Sequence, residues 1–309
     1  MVSRTVKVGG VEGKRHPAEP GAGTKGSVVG SRGHDRDTAG GRAAVAHRAS
    51  LPAAEVDVTV VMPYYNPGDR LRATVEQAVD VLRASGASFE VVTVSDGSTD
   101  GSERTLEGLA PDVLNRVVLP ARGGKGQAVR AGLERGRGRY LGFIDADGDV
   151  PPALLGDFVE VVRAEHPDVV LGSKRHRSSQ VVYPPARRLY SWGYQQLVRL
   201  LFRLDVRDTQ AGIKLVRRDV LVDVLPRMTE HGFAFDLELL VVARHVGYRH
   251  LVEAPVRIGR RFTSTVSPRV VAEMLRDTVA IWWRLRVRHA YGAPGRPPAV
   301  PAVEDDPGA

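Results

Sequence analysis

The stretch Arg139-Tyr-Leu-Gly-Phe-Ile-Asp-Ala-Asp-Gly-Asp149 decides the reading of this chain. Tyr140 to Ile144 is a short apolar run suited to a buried strand. It ends in three carboxylates, Asp145, Asp147 and Asp149. Alternate residues of an extended chain point the same way, so acids this close repel one another unless a positive charge sits among them. A hard divalent cation with oxygen ligands is one such charge. A solvated turn rich in Asp and Gly is the plainer reading of the stretch taken alone.

Upstream, the same unit of strand followed by polar cluster recurs. Val56 to Met62 is β-branched and strand-like, and Pro63-Tyr-Tyr-Asn-Pro-Gly68 breaks it. Leu71, Val75, Ala78, Val79 and Leu82 then recur at helical spacing. Phe89 to Ser95 is a second strand, followed by Asp96-Gly-Ser-Thr-Asp-Gly-Ser102 and a short helix near Glu103–Leu109. Val117 to Leu119 is a third strand, and Arg122-Gly-Gly-Lys-Gly126 leads into a helix ending near Arg135. Strands alternating with helices imply a mostly parallel α/β sheet with helices on both faces. In such sheets the ligand crevice lies at the carboxyl ends of the strands. Every polar cluster named above falls at such an end, which points to a nucleotide-type site.

Downstream, Pro151–Glu165 reads as a helix with Pro in its first turn, and Val169–Leu171 as a strand ending in Gly172-Ser-Lys-Arg175. A long helix fits about 186–204, followed by the polar segment Asp208-Thr-Gln-Ala-Gly-Ile-Lys214 and a helix near Val220–Leu225. Phe233-Ala-Phe-Asp-Leu-Glu-Leu-Leu240 opens another helix, a strand covers about 249–258, and an amphipathic helix closes the ordered part over about 268–289. Residues 1–55, rich in Gly, Ala, Arg and His, and residues 290–309, with repeated Pro and an acidic end, read as disordered tails around an ordered region of 56–289.

The 309 residues include no Cys, so disulfides and thiolate metal sites are excluded. No uncharged apolar run approaches the roughly 20 residues needed to span a bilayer, and the N-terminus has no apolar segment of the signal-peptide kind. These features imply a cytoplasmic protein whose membrane contact is peripheral. The net charge of +8 is unevenly spread. Residues 173–204 carry 7 Lys/Arg and no acid, with Tyr190, Trp192, Tyr194, Leu200 and Phe202 among them. Residues 257–289 carry 8 Arg against 2 acids, with Trp282 and Trp283. Basic amphipathic helices of this kind suit an anionic membrane surface; two core-packed helices with solvated Arg faces are the alternative. No nucleic-acid motif accompanies the basic stripes.

Taken in order, the segments PYYN, SDGSTDGS, RGGKGQAVRAG and FIDADGD, each after a strand, resemble the inverting family 2 glycosyltransferases. GSKR, DTQAGIKL and FAFDLELL look more narrowly like the dolichyl-phosphate glucosyltransferase branch. The resemblance covers about 56–289 and implies a GT-A fold. It divides the region into a nucleotide-sugar half (56–150), an acceptor half (151–266) and the amphipathic helix (267–289). Pro67 stands where relatives carry Glu after the Asn.

The resemblance implies roles for particular residues. Pro63, Tyr64, Asn66, Asp96 and Gly97 are expected around the base and ribose of a nucleotide-sugar. Lys125, at a glycine-flanked helix start, suits a phosphate, although the spacing is not that of a Walker loop. Asp145 and Asp147 match the family's Asp-x-Asp pair and would hold Mg²⁺ or Mn²⁺ against the leaving diphosphate, with Asp147 the direct ligand. Asp236 is expected as a general base or, where the acceptor is already ionised, as a group orienting the sugar hydroxyls; an acid favoured by the helix dipole is the alternative. Lys174, Arg175, Gln210, Lys214, Arg260 and Arg261 are candidates for gripping an acceptor phosphate, with 260–267 as a lid. The implied reaction is transfer of glucose from UDP-glucose to a polyprenyl phosphate at the cytoplasmic face of a membrane. The alternatives are a GDP-mannose enzyme acting on the same lipid, a family 2 enzyme with a soluble acceptor, and a basic peripheral adaptor without enzymatic activity.

Overall fold

At the centre of the sheet lies β2 (Val56–Tyr64), flanked by β3 (Phe89–Ser95) and β5 (Gly138–Ile144), both parallel to it. The computed structural model describes residues 5–7, 50–148, 150–181, 185–258 and 268–293. Beyond β3 come β4 (Leu114–Val118) and the three-residue β1 (Thr5–Lys7), both parallel. Beyond β5 come β8 (Ile213–Arg217), β6 (Val169–Ser173) and β9 (Leu251–Pro255). β8 is antiparallel to both its neighbours, whereas β6 and β9 pair in parallel. The two-stranded pair β7 (Gln180–Val181) and β10 (Arg257–Ile258) stands apart. Thr5–Lys7 lies inside the stretch read as a tail; its Thr-Val pair adds to an open sheet edge, which needs only backbone groups.

The sheet is buried on both sides, which explains why its strands read as continuous Val-rich runs instead of alternating ones. Val60, Met62, Val91, Ile144 and Leu215 face one core. There α1 (Arg70–Ala84) buries Leu71, Val75, Ala78, Val79 and Leu82, the five residues picked out by their spacing, and α3 (Leu154–Glu165) packs beside it. Val61, Val92, Val94, Leu141 and Val216 face the other core. That core is closed by α2 (Lys125–Leu133), α5 (Arg218–Val224) and α6 (Phe235–Val246), with α4 (Pro185–Phe202) and α7 (Pro268–Arg286) packed outside. α6 is apolar almost all round because it lies between the sheet and α7.

The apolar residues give no hint of β8, because Lys214 interrupts the run Ile213–Val216. That Lys is fully buried and finds a carboxylate beneath the cleft, so a charged residue occupies a central strand. The segment read as a third strand at 117–119 begins three residues earlier, at Leu114.

Glu238 anchors α7. It is fully buried and accepts hydrogen bonds from the Thr229 amide (2.9 Å) and hydroxyl (3.1 Å), the Glu230 amide (2.7 Å), the Arg284 guanidinium (2.9 Å) and the Tyr291 hydroxyl (2.7 Å). One carboxylate therefore ties α6 to the end of α7 and to the chain after it.

Candidate active site

Consecutive strands run outward from β2 to β3 and β4, then return to β5 on the other side of β2. Chain reversals of this kind open a crevice at the carboxyl ends of the strands. A cleft of about 730 Å³ lies there. Its walls come from the loops after β2, β3 and β5, the start of α2, the segment before β8 and the first turn of α6.

Pro63, Tyr64 and Asn66 line the cleft as expected. Asn66 takes a positive φ of 47° and its side-chain carbonyl accepts from the Thr99 amide at 2.8 Å, which fixes the loop. Asp96 lines the cleft too, but its carboxylate bonds the chain itself. Oδ1 accepts from the Gly123 amide at 2.7 Å and Oδ2 from the Gly124 amide at 3.0 Å. Its first role is therefore to shape the glycine turn that starts α2. Gly97 does not line the cleft; a Cβ there would lie 2.6 Å from the backbone of Ala121 and Arg122.

Four charges form a chain across the floor. Lys125 Nζ lies 2.7 Å from Asp145 Oδ1 and 3.5 Å from Asp236 Oδ2. Lys214 Nζ lies 2.7 Å from Asp236 Oδ1 and donates to the Ala211 carbonyl at 2.9 Å. Burial opposes the charge on Lys125, but Asp145 and Asp236 outweigh it and hold its pKa above the usual lysine value. Burial alone would raise the Asp236 carboxyl; Lys125 and Lys214 outweigh it and hold it below the usual carboxylate range. For Asp145 burial wins over Lys125, and its carboxyl is pushed up. Asp145 can approach this closely because Gly212 has no side chain: a Cβ there would lie 2.2 Å from Asp145 Oδ2.

Lys214 does not serve as an acceptor-phosphate residue. It is 0% exposed and spent on Asp236, so no phosphate can reach it. Arg175 also leaves the cleft and donates to the Ser191 hydroxyl at 3.2 Å. Lys174 and Gln210 do line the cleft, and the Gln210 amide group contacts the Tyr194 hydroxyl at 3.4 Å. Arg260, Arg261, the expected lid and Asp149 lie outside the described residues. Two cations missed in the sequence also line the cleft, Arg70 and Arg122. Arg122 stacks on Tyr65 with 4.1 Å between guanidinium and ring centroid. Arg122 and Tyr65 stand inside motifs already singled out, RGGK and PYYN, so pairing the aromatic with the cation across those motifs was the available signal for Arg122.

The donor set fits a divalent cation. Among the described residues there is no cluster of three or more acidic or imidazole groups. Mg²⁺, however, is commonly held by one or two carboxylates together with substrate phosphates. Asp147 is exposed on the cleft wall, while Asp145 leans toward Lys125.

Comparisons with known proteins agree with this geometry. Glucosyl-3-phosphoglycerate synthase of Mycobacterium tuberculosis, solved with UDP, superposes with a TM-score of 0.55 at 20% identity, covering 77% of this chain and 81% of that one. This likeness establishes the shared GT-A fold. Dolichyl-phosphate beta-glucosyltransferase of Drosophila melanogaster is 28% identical over 255 residues, 77% of each chain. Dolichyl-phosphate beta-glucosyltransferase ALG5A of Trichomonas vaginalis is 27% identical over 251 residues, covering 78% of this chain and 76% of that one. Glycosyltransferase AglD of Haloferax volcanii is 30% identical over 253 residues; the match takes in 80% of this chain but only 40% of AglD's length. The model of glycosyl transferase family 2 matches residues 59–225, from inside β2 to the end of α5, and so spans the Pro63–Asn66 loop, the glycine turn and the Asp145-x-Asp147 pair. With these motifs in one cleft and more than half its length matched, the chain belongs to glycosyl transferase family 2 and is a glycosyltransferase.

Proposed function

We propose that this enzyme moves glucose from UDP-glucose to a dolichyl-type polyprenyl phosphate, with inversion at the anomeric carbon. The observation that carries the reading is the state of Asp236. It lines the cleft with Lys125 3.5 Å and Lys214 2.7 Å from its carboxylate oxygens, and these neighbours lower its pKa against the effect of burial. Such a carboxylate is a poor proton acceptor. An alcohol acceptor would need a base here; a phosphate monoester, already ionised at neutral pH, does not. The names of the Drosophila and Trichomonas relatives favour the same acceptor class and a glucosyl donor.

In this reading the lipid phosphate oxygen attacks the anomeric carbon, forming the new C–O bond as the bond to the UDP β-phosphate oxygen breaks. Asp236 accepts hydrogen bonds from sugar hydroxyls and fixes the sugar over the floor of the cleft. Lys174 and Gln210, on the cleft wall, receive the acceptor phosphate. Arg122 and Tyr65 close the side of the cleft beside the donor. Mg²⁺ or Mn²⁺, held by Asp147 and by Asp145 at its edge, would neutralise charge on the departing diphosphate.

A donor screen tests the assignment. The purified enzyme with polyprenyl phosphate and Mg²⁺ is offered UDP-glucose, UDP-galactose, GDP-mannose and UDP-N-acetylglucosamine in turn, and released nucleotide is counted. UDP release that depends on both UDP-glucose and the lipid is expected. Preference for GDP-mannose, or nucleotide release indifferent to the lipid, would overturn it.

A further inference from the structure

α4, α6 and α7 all end at one cavity of about 690 Å³, which shares no lining residue with the catalytic cleft. Arg203, Arg244, His245, Arg249, Arg286 and His289 line it. Phe202, Val241 and Leu285 also line it and supply apolar surface. The one acid paired with these cations among the described residues is Asp205, 3.5 Å from Arg244 and itself highly exposed. Arg203, Arg249 and Arg286 have no carboxylate partner among the described residues, and all three are exposed.

Basic residues in the last turn of a helix are ordinarily explained by the helix dipole. Here that explanation falls short. Three helix ends carry roughly −1.5 charges together, and Asp205 adds one more. The four guanidinium groups exceed that sum before either imidazole is counted. Arg249 and His289, moreover, lie beyond the helices. Positive charge in such excess suits an anion.

The surface beside it identifies which anion. α7 exposes Leu275, Val279 and Trp283, with Val287 just past its end, at intervals of four residues, so they form one stripe. α4 exposes Trp192 and, at 79%, Leu200. The two helices run in the same direction. Tyr194 hydrogen-bonds Thr278 at 2.9 Å, and eight residues further on Phe202 shares the cavity with Leu285 and Arg286. Met274 lines the catalytic cleft and Arg286 lines the cavity, so the stripe bridges the two over about 18 Å at a rise of about 1.5 Å per residue.

We propose that the cavity binds the phosphate headgroup of an anionic phospholipid, and that the exposed α4–α7 stripe docks on the bilayer around it. Trp and aliphatic side chains beside Arg suit the headgroup–acyl boundary. A second copy of this chain fits poorly, because a two-fold contact of this face with itself sets Arg against Arg. A nucleic acid offers phosphates but nothing apolar to cover Leu275, Val279 and Trp283. Docking in this way holds the mouth of the cleft at the membrane surface. It requires neither the donor nor the acceptor proposed above.

Flotation of the full chain on vesicles tests the proposal. Wild type and R203E/R249E/R286E are compared on phosphatidylcholine alone and on an equimolar mixture with phosphatidylglycerol, at low and high salt. Wild type is expected to float with the mixed vesicles, and to lose this on phosphatidylcholine and in high salt. The variant should partition at least about tenfold less, since each Lys or Arg near an anionic surface counts for roughly fivefold. Its unfolding temperature and its turnover of a short, water-soluble polyprenyl phosphate should match wild type. A second variant, L200S/W283S, should weaken flotation with all the charges kept. Equal flotation of wild type and the triple variant overturns the proposal. So does equal binding to the two vesicle types, a wild-type dimer that the charge reversals dissociate, or an oligonucleotide that binds more tightly than the vesicles. If neither protein turns over the soluble acceptor while wild type floats as expected, docking stands and the proposed reaction falls.

Discussion

Lys214 Nζ and Asp236 Oδ1 meet at 2.7 Å beneath the cleft, where Lys214 has no solvent exposure and Asp236 has 4%. Phe143 and Lys214 are register partners in β5 and β8, so the pair fastens the first turn of α6 to the centre of the sheet. The same pair fixes a carboxylate that lines the cleft.

Removing one partner of a buried ion pair leaves an uncompensated charge, which costs about 3–5 kcal/mol. Lys214→Met is therefore expected to destabilise the fold by that order and to lower kcat more than the donor KM. The double variant K214M/D236N, which leaves no buried charge unpaired, should be less destabilised than K214M alone. Urea unfolding of the wild type, both single variants and the double variant measures the coupling.

The pair also sets a pH dependence. The Asp236 carboxyl is held below its unfolded value, mainly by Lys125 and Lys214 acting against burial. Its ionised form thus stabilises the fold above the ordinary aspartate range, and this contribution is lost as the pH falls through the depressed folded value. In K214M the folded value rises, so acid unfolding followed by circular dichroism should begin at a higher pH than in wild type. An unchanged acid limb would show that Lys214 does not govern Asp236.

Asp147 is exposed, whereas Asp236 is buried. Asp147→Ala should leave the unfolding free energy within about 0.5 kcal/mol of wild type. Turnover should fall at least about a hundredfold, the order expected when charge stabilisation at a leaving diphosphate is lost. Mn²⁺ titration followed by electron paramagnetic resonance should show the same variant failing to retain the ion in the presence of UDP.

Gly212 leaves room for Asp145. A Cβ would fall 2.2 Å from Asp145 Oδ2, so Gly212→Ala must move the carboxylate or the strand. Misplacement of a site group by about 1 Å costs roughly a hundredfold in rate. The variant is expected to lose kcat/KM for the donor on that order. A matched Gly156→Ala, where the nearest atom to the added Cβ is 3.6 Å away, should be tolerated.

Glu238→Gln replaces a buried anion by a neutral amide among one carboxylate-seeking guanidinium, a phenol, the Thr229 hydroxyl and two backbone amides. Arg284 is then left without that charge partner beside Glu230. A loss of about 3 kcal/mol is expected, read by denaturant unfolding, with the end of α7 becoming open to hydrogen exchange.

These positions separate what the residues disclose from what only packing does. The parallel strands, the buried face of α1 and the Asp145-x-Asp147 pair were legible because each follows from local periodicity or from like charges placed two apart. β8 was not, since a strand holding a fully buried Lys214 looks polar until Asp236, 22 residues later, is brought beneath it. Glu238 resembled an ordinary acid in the first turn of a helix; its partners come from residues 229–230, 284 and 291, which no spacing rule connects. Asp96 was found, but the donors that occupy it are amides of the next polar cluster. The cationic cavity was hidden for the same reason, because it gathers residues from three helix ends far apart in the sequence.

The most direct measurement is the structure of the product. The enzyme is incubated with UDP-glucose, Mg²⁺ and polyprenyl phosphate, and the lipid fraction is examined by mass spectrometry and by the anomeric proton signal in NMR. A polyprenyl phosphate heavier by one hexose, with the large diaxial coupling of a β-glucosyl phosphate, is the predicted result. An α-linked glycolipid, or UDP released with no sugar on the lipid, would contradict the account.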